Sequence, residues 1–590
     1  MKELMSGNQA IARGAWEAGV TLAAGYPGTP STEILENIVK YKDDLHCEWA
    51  PNEKVALEVA VGASLGGARS LVTMKHVGMN VAADPLMTFA MIGAVGGMVI
   101  VIADDPGMHS SQNEQDSRHW GAFAKIPVLE PADSQEAKDM VKYGMELSEK
   151  LNTPVILRTT TRLAHSRSLV AFNDRVQLDR EIAFKPDQAR YVTIPLWARK
   201  MRVGVEQRVN KLCAEAEFGA INRIENAADA EQKKKLGIIT SGVNFQHARE
   251  IFPEAAFLKL GMVYPLPEEK IKEFAGTVEQ LLIIEELDPL IENQVKAWNV
   301  HCTGRDLVPG IGELNPEVLR RVRSLWETGK EPAAAAQPAE ADGLPARPPV
   351  LCPGCPHRAT FTALKKLDCQ VMGDIGCYSL GSLPPLSRLN SILCMGGSIG
   401  MAHGLQKAGE KKPVVGVLGD STFFHSGITG LMNTVYNGGS STTLVLDNRI
   451  TAMTGHQDNP GSGKTLEGSP VEPVSIEAVG KAVGVKRVRT VNPYRLEETV
   501  QALKEELAAD EPSLVVVKAE CPLNARRAVG PRVRIDENKC VNCRSCLKIG
   551  CPAVEAADKT VKPRINPTLC AGCNLCGQVC PKGAISQEEK

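Results

Sequence analysis

The feature that most constrains this chain is a repeated cysteine pattern late in the sequence. Eight of the 17 cysteines lie between residues 540 and 580. The first four follow the spacing C-x2-C-x2-C-x4-C-P, and the last four follow C-x2-C-x2-C-x3-C-P. Thiolates two residues apart on a tight loop hold three corners of an iron–sulfur cubane, and the cysteine before proline reaches the neighbouring cluster. The spacing therefore predicts a ferredoxin-like domain with two [4Fe-4S] clusters.

The predicted ligand sets cross between the two repeats. One cluster is assigned to Cys540, Cys543, Cys546 and Cys580, and the second to Cys570, Cys573, Cys576 and Cys551. The gap before Cys551 is one residue longer than usual, which leaves that ligand open and could alter the potential of the second cluster. Two zinc knuckles are the alternative, because C-x2-C pairs also bind zinc.

Charge and hydropathy exclude several other classes of protein. The 67 Lys and Arg residues nearly balance 69 Asp and Glu, so neither nucleic acid nor a membrane surface is expected as a partner. The most apolar stretch, 87–103, is broken by glycines and is shorter than the ~20 residues of a membrane-spanning helix. The first residues lack the apolar core and cleavage site of a secretory signal. We therefore expect a cytoplasmic protein with reduced thiols rather than a disulfide framework.

The 590 residues are enough for several domains. Strand-like runs alternate with helix-like stretches such as 8–18 and 133–150; the runs are LVTM, GMVIVIA, PVILR, LGIITSG and QLLIIEEL. This alternation predicts an α/β fold with largely parallel sheets. A charged segment between about 170 and 230 is interpreted as a domain connection. Residues 329–349 are rich in Ala and Pro and form the clearest linker.

Two polar motifs follow apolar runs downstream of this linker. Gly419-Asp420-Ser421 follows the run 413–418, and Asp447-Asn448 follows the run 442–446. Because parallel strands end at a common sheet edge, Asp420 and Asn448 are expected to converge on one Mg²⁺ ion that also binds phosphate oxygens. Gly396-Gly397-Ser398 opens a helix-like stretch whose first amides suit a diphosphate. An ordinary βαβ unit with a capping aspartate is the alternative.

These motifs are typical of thiamine diphosphate enzymes, with Ser421 in place of the usual glycine. Over residues 5–585 the chain resembles the 2-oxoacid:ferredoxin oxidoreductases. The resemblance rests on the cysteine repeat and on YPGTPSTE (26–33), RPPVLCPGCPHR (347–358), GDIGC (373–377), CMGGSIGMAHGL (394–405), GDSTFFHSG (419–427) and LDNRITAMTGHQ (446–457).

The resemblance implies a multidomain α/β architecture. The implied domains are a pyrimidine-binding thiamine diphosphate domain (1–190), a smaller transketolase C-terminal-like domain (231–328), the linker, a diphosphate-binding domain (350–523) and a two-cluster ferredoxin-like domain (531–590). It also implies a beta subunit as partner, in a heterodimer or an α2β2 assembly, with ferredoxin as electron acceptor and coenzyme A as co-substrate.

Three catalytic residues are carried over from the resemblance. Glu53, which precedes Gly78 in the chain, corresponds to the glutamate that hydrogen-bonds the aminopyrimidine ring, and Glu58 is its rival. A carboxyl group there favours the tautomer that removes the thiazolium C2 proton. Thr29 corresponds to a substrate-contacting threonine, with a turn-forming hydroxyl as the alternative. Arg118 corresponds to the arginine that holds the substrate carboxylate, with an ordinary salt bridge as the alternative.

The remaining implied contacts lie after the linker. The Mg²⁺ ligands are Asp420, Asn448 and the backbone oxygen of Ile450. Cofactor-binding residues are Glu53, His357, Cys377, Gly396, Gly397, Ser398, Gly419, Asp420, Ser421 and Asn448. Cys352 and Cys355 are interpreted as packing toward the cofactor rather than as a third metal site, because no second CxxC accompanies them.

Substrate choice is inferred from one position at which this sequence differs from the pyruvate-specific relatives. Met453 stands where pyruvate-specific relatives carry asparagine, and a flexible thioether favours a larger aromatic side chain; packing behind the cofactor is the alternative. The expected reaction is oxidative decarboxylation of an aryl 2-oxoacid such as indolepyruvate with coenzyme A, giving an acyl-CoA and CO₂ and passing electrons through the clusters. A different 2-oxoacid, a non-redox thiamine decarboxylase and an inactive electron-transfer scaffold are the alternatives.

Overall fold

The computed structural model describes residues 2–227, 233–330, 349–526 and 528–588. The chain divides into two compact units, Met1–Asp342 and Gly343–Lys590. This boundary falls within the predicted 329–349 linker, of which residues 331–348 lie outside the described part. None of the helices in the described ranges is both long and apolar enough to cross a membrane.

The first unit alternates strands and helices. Its strands are β1 (Lys2–Ser6), β2 (Leu22–Gly25), β3 (His46–Trp49), β4 (Ser70–Lys75), β5 (Met98–Asp104), β6 (Val128–Leu129), β7 (Val155–Thr160), β8 (Arg167–Ala171), β9 (Arg223–Glu225), β10 (Lys234–Ser241), β11 (Ala256–Leu260), β12 (Met262–Tyr264) and β13 (Val278–Ile284). Its helices are α1 (Gly7–Glu17), α2 (Thr32–Ile38), α3 (Glu53–Leu65), α4 (His76–Val81), α5 (Ala83–Ile92), α6 (Arg118–Ala124), α7 (Ser134–Leu151), α8 (Thr161–His165), α9 (Gln188–Tyr191), α10 (Pro195–Phe218), α11 (Gly242–Ile251), α12 (Glu268–Gly276), α13 (Leu290–Ala297) and α14 (Pro316–Thr328).

A seven-stranded sheet organises the N-terminal part of this unit. Its order is β12-β6-β7-β5-β4-β2-β3, and all neighbours are parallel except β12, which runs antiparallel to β6. Every residue of β4, β5 and β7 is buried, which explains why their apolar residues follow one another without alternation. The sequence-based prediction of these strands is confirmed.

Local signals also set the helix ends. Helix α7 begins after Asp133, whose side chain accepts a hydrogen bond from the Glu136 amide, and it ends at Asn152 in the left-handed conformation. The predicted helix over 133–150 is therefore confirmed to within a residue at either end.

A second sheet has the order β13-β10-β11-β9, with β9 antiparallel and the others parallel. Strand β9 comes from the segment interpreted as a domain connection, which also contains the 24-residue helix α10. Strand β12, although it follows β11 directly, joins the seven-stranded sheet instead. The two sheets of the first unit are thus linked through the chain between them.

The second unit is a parallel sheet with a small cysteine-rich region. Its strands are β14 (Gln370–Met372), β15 (Val414–Gly419), β16 (Thr442–Asp447), β17 (Arg487–Val491), β18 (Ser513–Lys518), β19 (Val533–Ile535), β20 (Val554–Glu555), β21 (Arg564–Ile565) and β22 (Ile585–Gln587). Its helices are α15 (Pro356–Leu364), α16 (Gly397–Lys407), α17 (Asp420–Thr422), α18 (Ile428–Tyr436), α19 (Ile476–Ala482), α20 (Leu496–Leu507), α21 (Pro522–Ala525) and α22 (Leu575–Gln578). The sheet order is β14-β15-β16-β18-β17, all parallel, and β19-β22 and β20-β21 form two antiparallel pairs in the cysteine repeat.

Candidate active site and cysteine sets

The two polar motifs of the second unit meet at one edge of its sheet. Strands β15 and β16 are parallel neighbours in which Gly419 pairs with Leu446. Asp420 and Asn448 follow these strands directly, and both are buried. The Asn448 amide oxygen accepts a hydrogen bond from the Ile450 amide at 3.3 Å. The structure therefore brings together the three residues predicted to hold Mg²⁺.

The Asp420 carboxyl is a buried acid without a cationic partner. Its Oδ2 accepts a hydrogen bond from the Asn459 amide at 3.2 Å, and within the described ranges no ion pair involves it. Burial, followed by the charge of Asp447, raises the pKa of Asp420 to about 7. A divalent cation at this point would supply the missing positive charge. The donor set therefore fits a Mg²⁺ ion.

Small residues make room along the same edge. A Cβ on Gly419 would lie 2.9 Å from the Tyr378 ring, and a Cβ on Gly396 would lie 2.7 Å from Cβ of Ser426. Gly396 also has a positive φ of 83°, which favours glycine. Ser421 accepts a hydrogen bond from the Thr451 hydroxyl at 2.9 Å. These glycines allow Tyr378 and Ser426 to pack closely against the backbone at this edge.

The start of α16 departs from the sequence-based expectation. The Asp374 carboxylate accepts hydrogen bonds from the amides of Gly396 and Ser398, both at 3.0 Å, and the Gly397 amide donates to the Cys394 carbonyl. Sequence reasoning missed Asp374, although it lies in the GDIGC motif after β14. The Ser398 hydroxyl is buried without a hydrogen-bond partner in the described residues. The diphosphate assignment for these residues stays a prediction.

Four cysteines that the sequence treats separately lie near one another beside this edge. They form the third cysteine set, Cys352, Cys355, Cys377 and Cys521. Burial raises the pKa of the Cys355 thiol to about 12 and of Cys377 to about 11, and neighbouring thiols of the set add to both shifts. The Cys521 amide donates to the Asn448 carbonyl at 3.2 Å, and its Sγ lies 3.9 Å from His456. The interpretation that Cys352 and Cys355 pack toward the cofactor stays a prediction, and the structure adds Cys377 and Cys521 as neighbouring thiols.

His357 connects the third cysteine set to the strand ends. His357 is two residues after Cys355 in the chain. Its Nε2 lies 3.4 Å from the side-chain amide nitrogen of Asn448. Burial lowers the pKa of His357 to about 4, so the ring is neutral at pH 7. A neutral imidazole in this position orients Asn448 without adding charge.

The cysteine repeat forms two cavities. One is lined by the first cysteine set, Cys540, Cys543, Cys546 and Cys580. The other is lined by the second cysteine set, Cys551, Cys570, Cys573 and Cys576. In each case the cysteine before proline lies with the triplet of the other repeat. The structure thus groups these residues as the sequence analysis does, including Cys551 with its longer spacing.

The first unit positions Glu53 at the start of α3. Asn52 caps this helix by accepting a hydrogen bond from the Val55 amide, and Glu53 is 5% exposed. A Cβ on Gly78 would lie 2.6 Å from both Cγ and Oε1 of Glu53, so the glycine makes room for this carboxyl. Glu58 is exposed and pairs with Lys54. Of the two candidate glutamates, Glu53 is the buried one.

Thr29 lies in the turn after β2, near a buried lysine. The Ser110 hydroxyl donates to the Thr29 carbonyl at 3.3 Å, and Lys75 Nζ donates to the Ser110 carbonyl at 2.8 Å. Burial lowers the pKa of Lys75 to about 8, although the nearby Asp105 opposes this. Sequence reasoning missed Lys75; a lysine at the end of the apolar run LVTM is the signal that could have found it.

Arg118 is engaged in a buried ion-pair network. It is 1% exposed and donates to the carboxylates of Asp116 and Glu285 at 2.6 and 2.7 Å. It also donates to the carbonyls of Glu286 and Asp288. A substrate carboxylate would have to displace one of these partners, so the predicted role of Arg118 gains no support from this geometry.

Comparisons with known proteins agree with these features. Residues 13–212 match the family model "Pyruvate flavodoxin/ferredoxin oxidoreductase, thiamine diP-bdg", 374–517 match "Thiamine pyrophosphate enzyme, C-terminal TPP binding domain", and 563–586 match "4Fe-4S binding domain". The indolepyruvate oxidoreductase subunit IorA of Pyrococcus horikoshii is 41% identical over 99% of this chain and 97% of its own length. Subunits of the same name from Methanothermobacter thermautotrophicus (39%, 100% of this chain, 98% of the relative) and Archaeoglobus fulgidus (38%, 99% and 97%) are similar over their full length.

Proposed function

The chain belongs to the IorA family of indolepyruvate oxidoreductase subunits, and from this premise we propose that it oxidatively decarboxylates aryl 2-oxoacids such as indolepyruvate. The reaction uses thiamine diphosphate and Mg²⁺, transfers the acyl group to coenzyme A, and passes two electrons through iron–sulfur clusters to ferredoxin. Because these relatives are named as subunits, the proposal includes a partner subunit in a paired or αβ assembly.

One observation carries the proposal. The buried, uncompensated Asp420 lies at the same sheet edge as Asn448, and Asn448 is hydrogen-bonded to Cys521 of the third cysteine set. Thiamine diphosphate supplies the carbanion-stabilising chemistry of the reaction, and clustered thiolates supply one-electron carriers. Their adjacency within one unit favours a redox enzyme over a non-redox decarboxylase.

Glu53 is proposed as the partner of the aminopyrimidine. Its carboxyl would hold the proton at the ring nitrogen, which is the general acid–base contribution of this chain. Its burial, its capped helix start and the space left by Gly78 support this assignment over Glu58. Thr29, in the neighbouring turn after β2, is proposed to contact the substrate.

The substrate contacts are proposed as follows. Arg118 is retained for the substrate carboxylate on the resemblance alone, with its present partners as competitors. Met453 is proposed to favour an aryl side chain; its side chain is 50% exposed in the described structure and so is available for contact. Burying about 100 Å² of an indole there would stabilise binding by about 2.5 kcal/mol.

We extend the cluster proposal to three centres. The first and second cysteine sets would each hold a [4Fe-4S] cluster, as their spacing and shared cavities favour. The third cysteine set offers the same number and type of ligands, next to Asn448. Tyr494 lies near both this set and the second, since its hydroxyl donates to the Gly354 carbonyl and its surroundings include Cys355 and Cys573. Electrons would pass from the site at Asp420 and Asn448 to the third cysteine set and from there to the cysteine repeat.

The test is anaerobic co-expression with the partner subunit, followed by iron, sulfide and thiamine analysis. We expect about four irons per set, or about twelve in all, and about four fewer in Cys355→Ser. Coenzyme A-dependent reduction of ferredoxin should show a higher kcat/KM with indolepyruvate than with pyruvate. Zinc in place of iron and sulfide, or equal kcat/KM for the two oxoacids, would contradict the proposal.

A further inference from the structure

Arg358 is a buried cation that no carboxylate neutralises. It is 2% exposed, and in the described ranges it takes part in no ion pair. Its terminal nitrogens donate only to the carbonyls of Leu351, Cys352, Ile549 and Gly550. Its Nε has no hydrogen-bond partner among the described residues. A full positive charge in such a setting needs compensation, because neutral carbonyls alone do not replace water.

The Arg358 guanidinium lies beside the cavity in which the thiolates of the second cysteine set would bind a cluster. Arg358 lines the cavity of the second cysteine set, together with Gly354 of the C-x2-C loop. Arg358 also donates to the Gly550 carbonyl, and Gly550 directly precedes Cys551 of this set. A [4Fe-4S] cluster bound by four thiolates is anionic. The missing counter-charge of Arg358 is therefore one that the second set would provide when it holds a cluster.

The first cysteine set has a different electrostatic environment. The cations that line its cavity are Arg544 and Lys582, of which the first is half-buried and the second exposed. Solvent and salt screen such charges, whereas a buried charge acts through a lower effective dielectric constant. The two cavities therefore differ in how strongly a neighbouring cation acts on them.

We infer that Arg358 is the internal counter-cation of the cluster held by the second cysteine set, and that it sets this cluster's reduction potential above the value it would have without the charge. The inference rests on the proposed function, which supplies the clusters and, from oxidation of the 2-oxoacid, the electrons. Each one-electron reduction adds a negative charge to the cluster, and a fixed positive charge nearby stabilises that reduced state. Arg358 does not bind iron; it acts on the cluster only through its fixed positive charge.

The experiment is an EPR-monitored redox titration of the assembled enzyme and of three variants. Arg358→Gln removes the charge, and Arg358→Lys keeps it with fewer hydrogen bonds. Arg388→Gln is the matched control, because Arg388 also donates to three backbone carbonyls of this unit but lines neither cavity. The signal of the second cluster is identified as the one lost in Cys573→Ser. Iron and sulfide content is measured for every protein.

We expect Arg358→Gln to lower the midpoint potential of the second cluster, Arg358→Lys to retain most of the wild-type value, and Arg388→Gln to match wild type. The cluster of the first cysteine set should titrate unchanged throughout. The cluster of the third set should shift in the same direction as the second, because Arg358 also donates to the Cys352 carbonyl. Should Arg358→Gln bind less iron, Arg358→Met serves as the second neutral variant. An unshifted potential in a fully loaded neutral variant would overturn the inference, as would equal shifts in the Lys and Gln variants. Wild-type protein without iron and sulfide would instead refute the proposed function.

Discussion

Alanine at position 78 would perturb the Glu53 carboxyl without changing any charged group. Its Cβ would lie 2.6 Å from Cγ and Oε1 of Glu53, which is too close for either atom to stay in place. Glu53 is buried and fixed at the first position of α3, so its side chain must rotate or the helices must separate. Gly62, also in α3, is the matched control, because a Cβ there meets nothing within 4 Å.

The magnitudes follow from these two environments. Alanine is favoured over glycine inside a helix by about 1 kcal/mol, so Gly62→Ala should raise the free energy of unfolding by about that amount. At Gly78 the same gain is opposed by overpacking of about 1–3 kcal/mol, which gives a net loss of about 0–2 kcal/mol. A catalytic group displaced by about 1 Å loses about 100-fold in rate. The effect on catalysis should therefore exceed the effect on stability.

The assay is the rate of deuterium exchange at thiazolium C2 of bound thiamine diphosphate, in the enzyme assembled with its partner subunit. We expect Gly78→Ala to retain the cofactor but exchange about 100-fold more slowly, with Glu53→Gln impaired in the same way and Gly62→Ala like wild type. Wild-type exchange rates in both Gly78→Ala and Glu53→Gln would refute the role of Glu53.

Three further predictions concern other parts of the chain. Asp420→Ala should lose thiamine diphosphate and Mg²⁺ but keep its iron; a variant that binds the cofactor with unchanged affinity would show that Asp420 holds no metal. Burial raises the pKa of Glu286 from 4.5 to about 7, so ionisation of Glu286 should destabilise the fold as pH rises through that range. At pH 8 Glu286→Gln should be more stable than wild type by up to about 3 kcal/mol and nearly equal to it at pH 4; urea unfolding with the same difference at both pH values would contradict this. Met453→Asn should reduce kcat/KM for indolepyruvate more than for pyruvate, and equal losses would place Met453 away from the substrate.

Much of the fold could be predicted from the sequence because its strands are buried on both faces. Strands β4, β5 and β7 contain the apolar runs LVTM, MVIVIA and VIL, and this signal needs no knowledge of tertiary structure. Helix α10 was not predictable in this way, because few of its residues are buried and its apolar periodicity is weak. The pairing of β12 with the seven-stranded sheet depends on tertiary packing, which a local pattern does not encode.

The candidate site likewise contains residues that could be predicted from local sequence and residues that could not. Asp420 and Asn448 could be predicted because each directly follows a strand, and parallel strands end together. The third cysteine set could not, because Cys377 and Cys521 are far from Cys352 and Cys355 in sequence and carry no spacing signal. The ion pair of Arg118 with Glu285 likewise joins distant parts of the chain, the start of α6 and the residue after β13. Long-range contacts of this kind appear only once the chain is folded.

The most direct test of the account is freeze-quench EPR of the anaerobic enzyme, assembled with its partner subunit and mixed with indolepyruvate and coenzyme A in the absence of ferredoxin. Reduced [4Fe-4S] signals should appear only with the oxoacid and should be missing from Asp420→Ala protein with its full iron content. Oxoacid consumption without cluster reduction, or cluster reduction in the Asp420→Ala protein, would contradict a thiamine site that feeds electrons to the cysteine sets of the same chain.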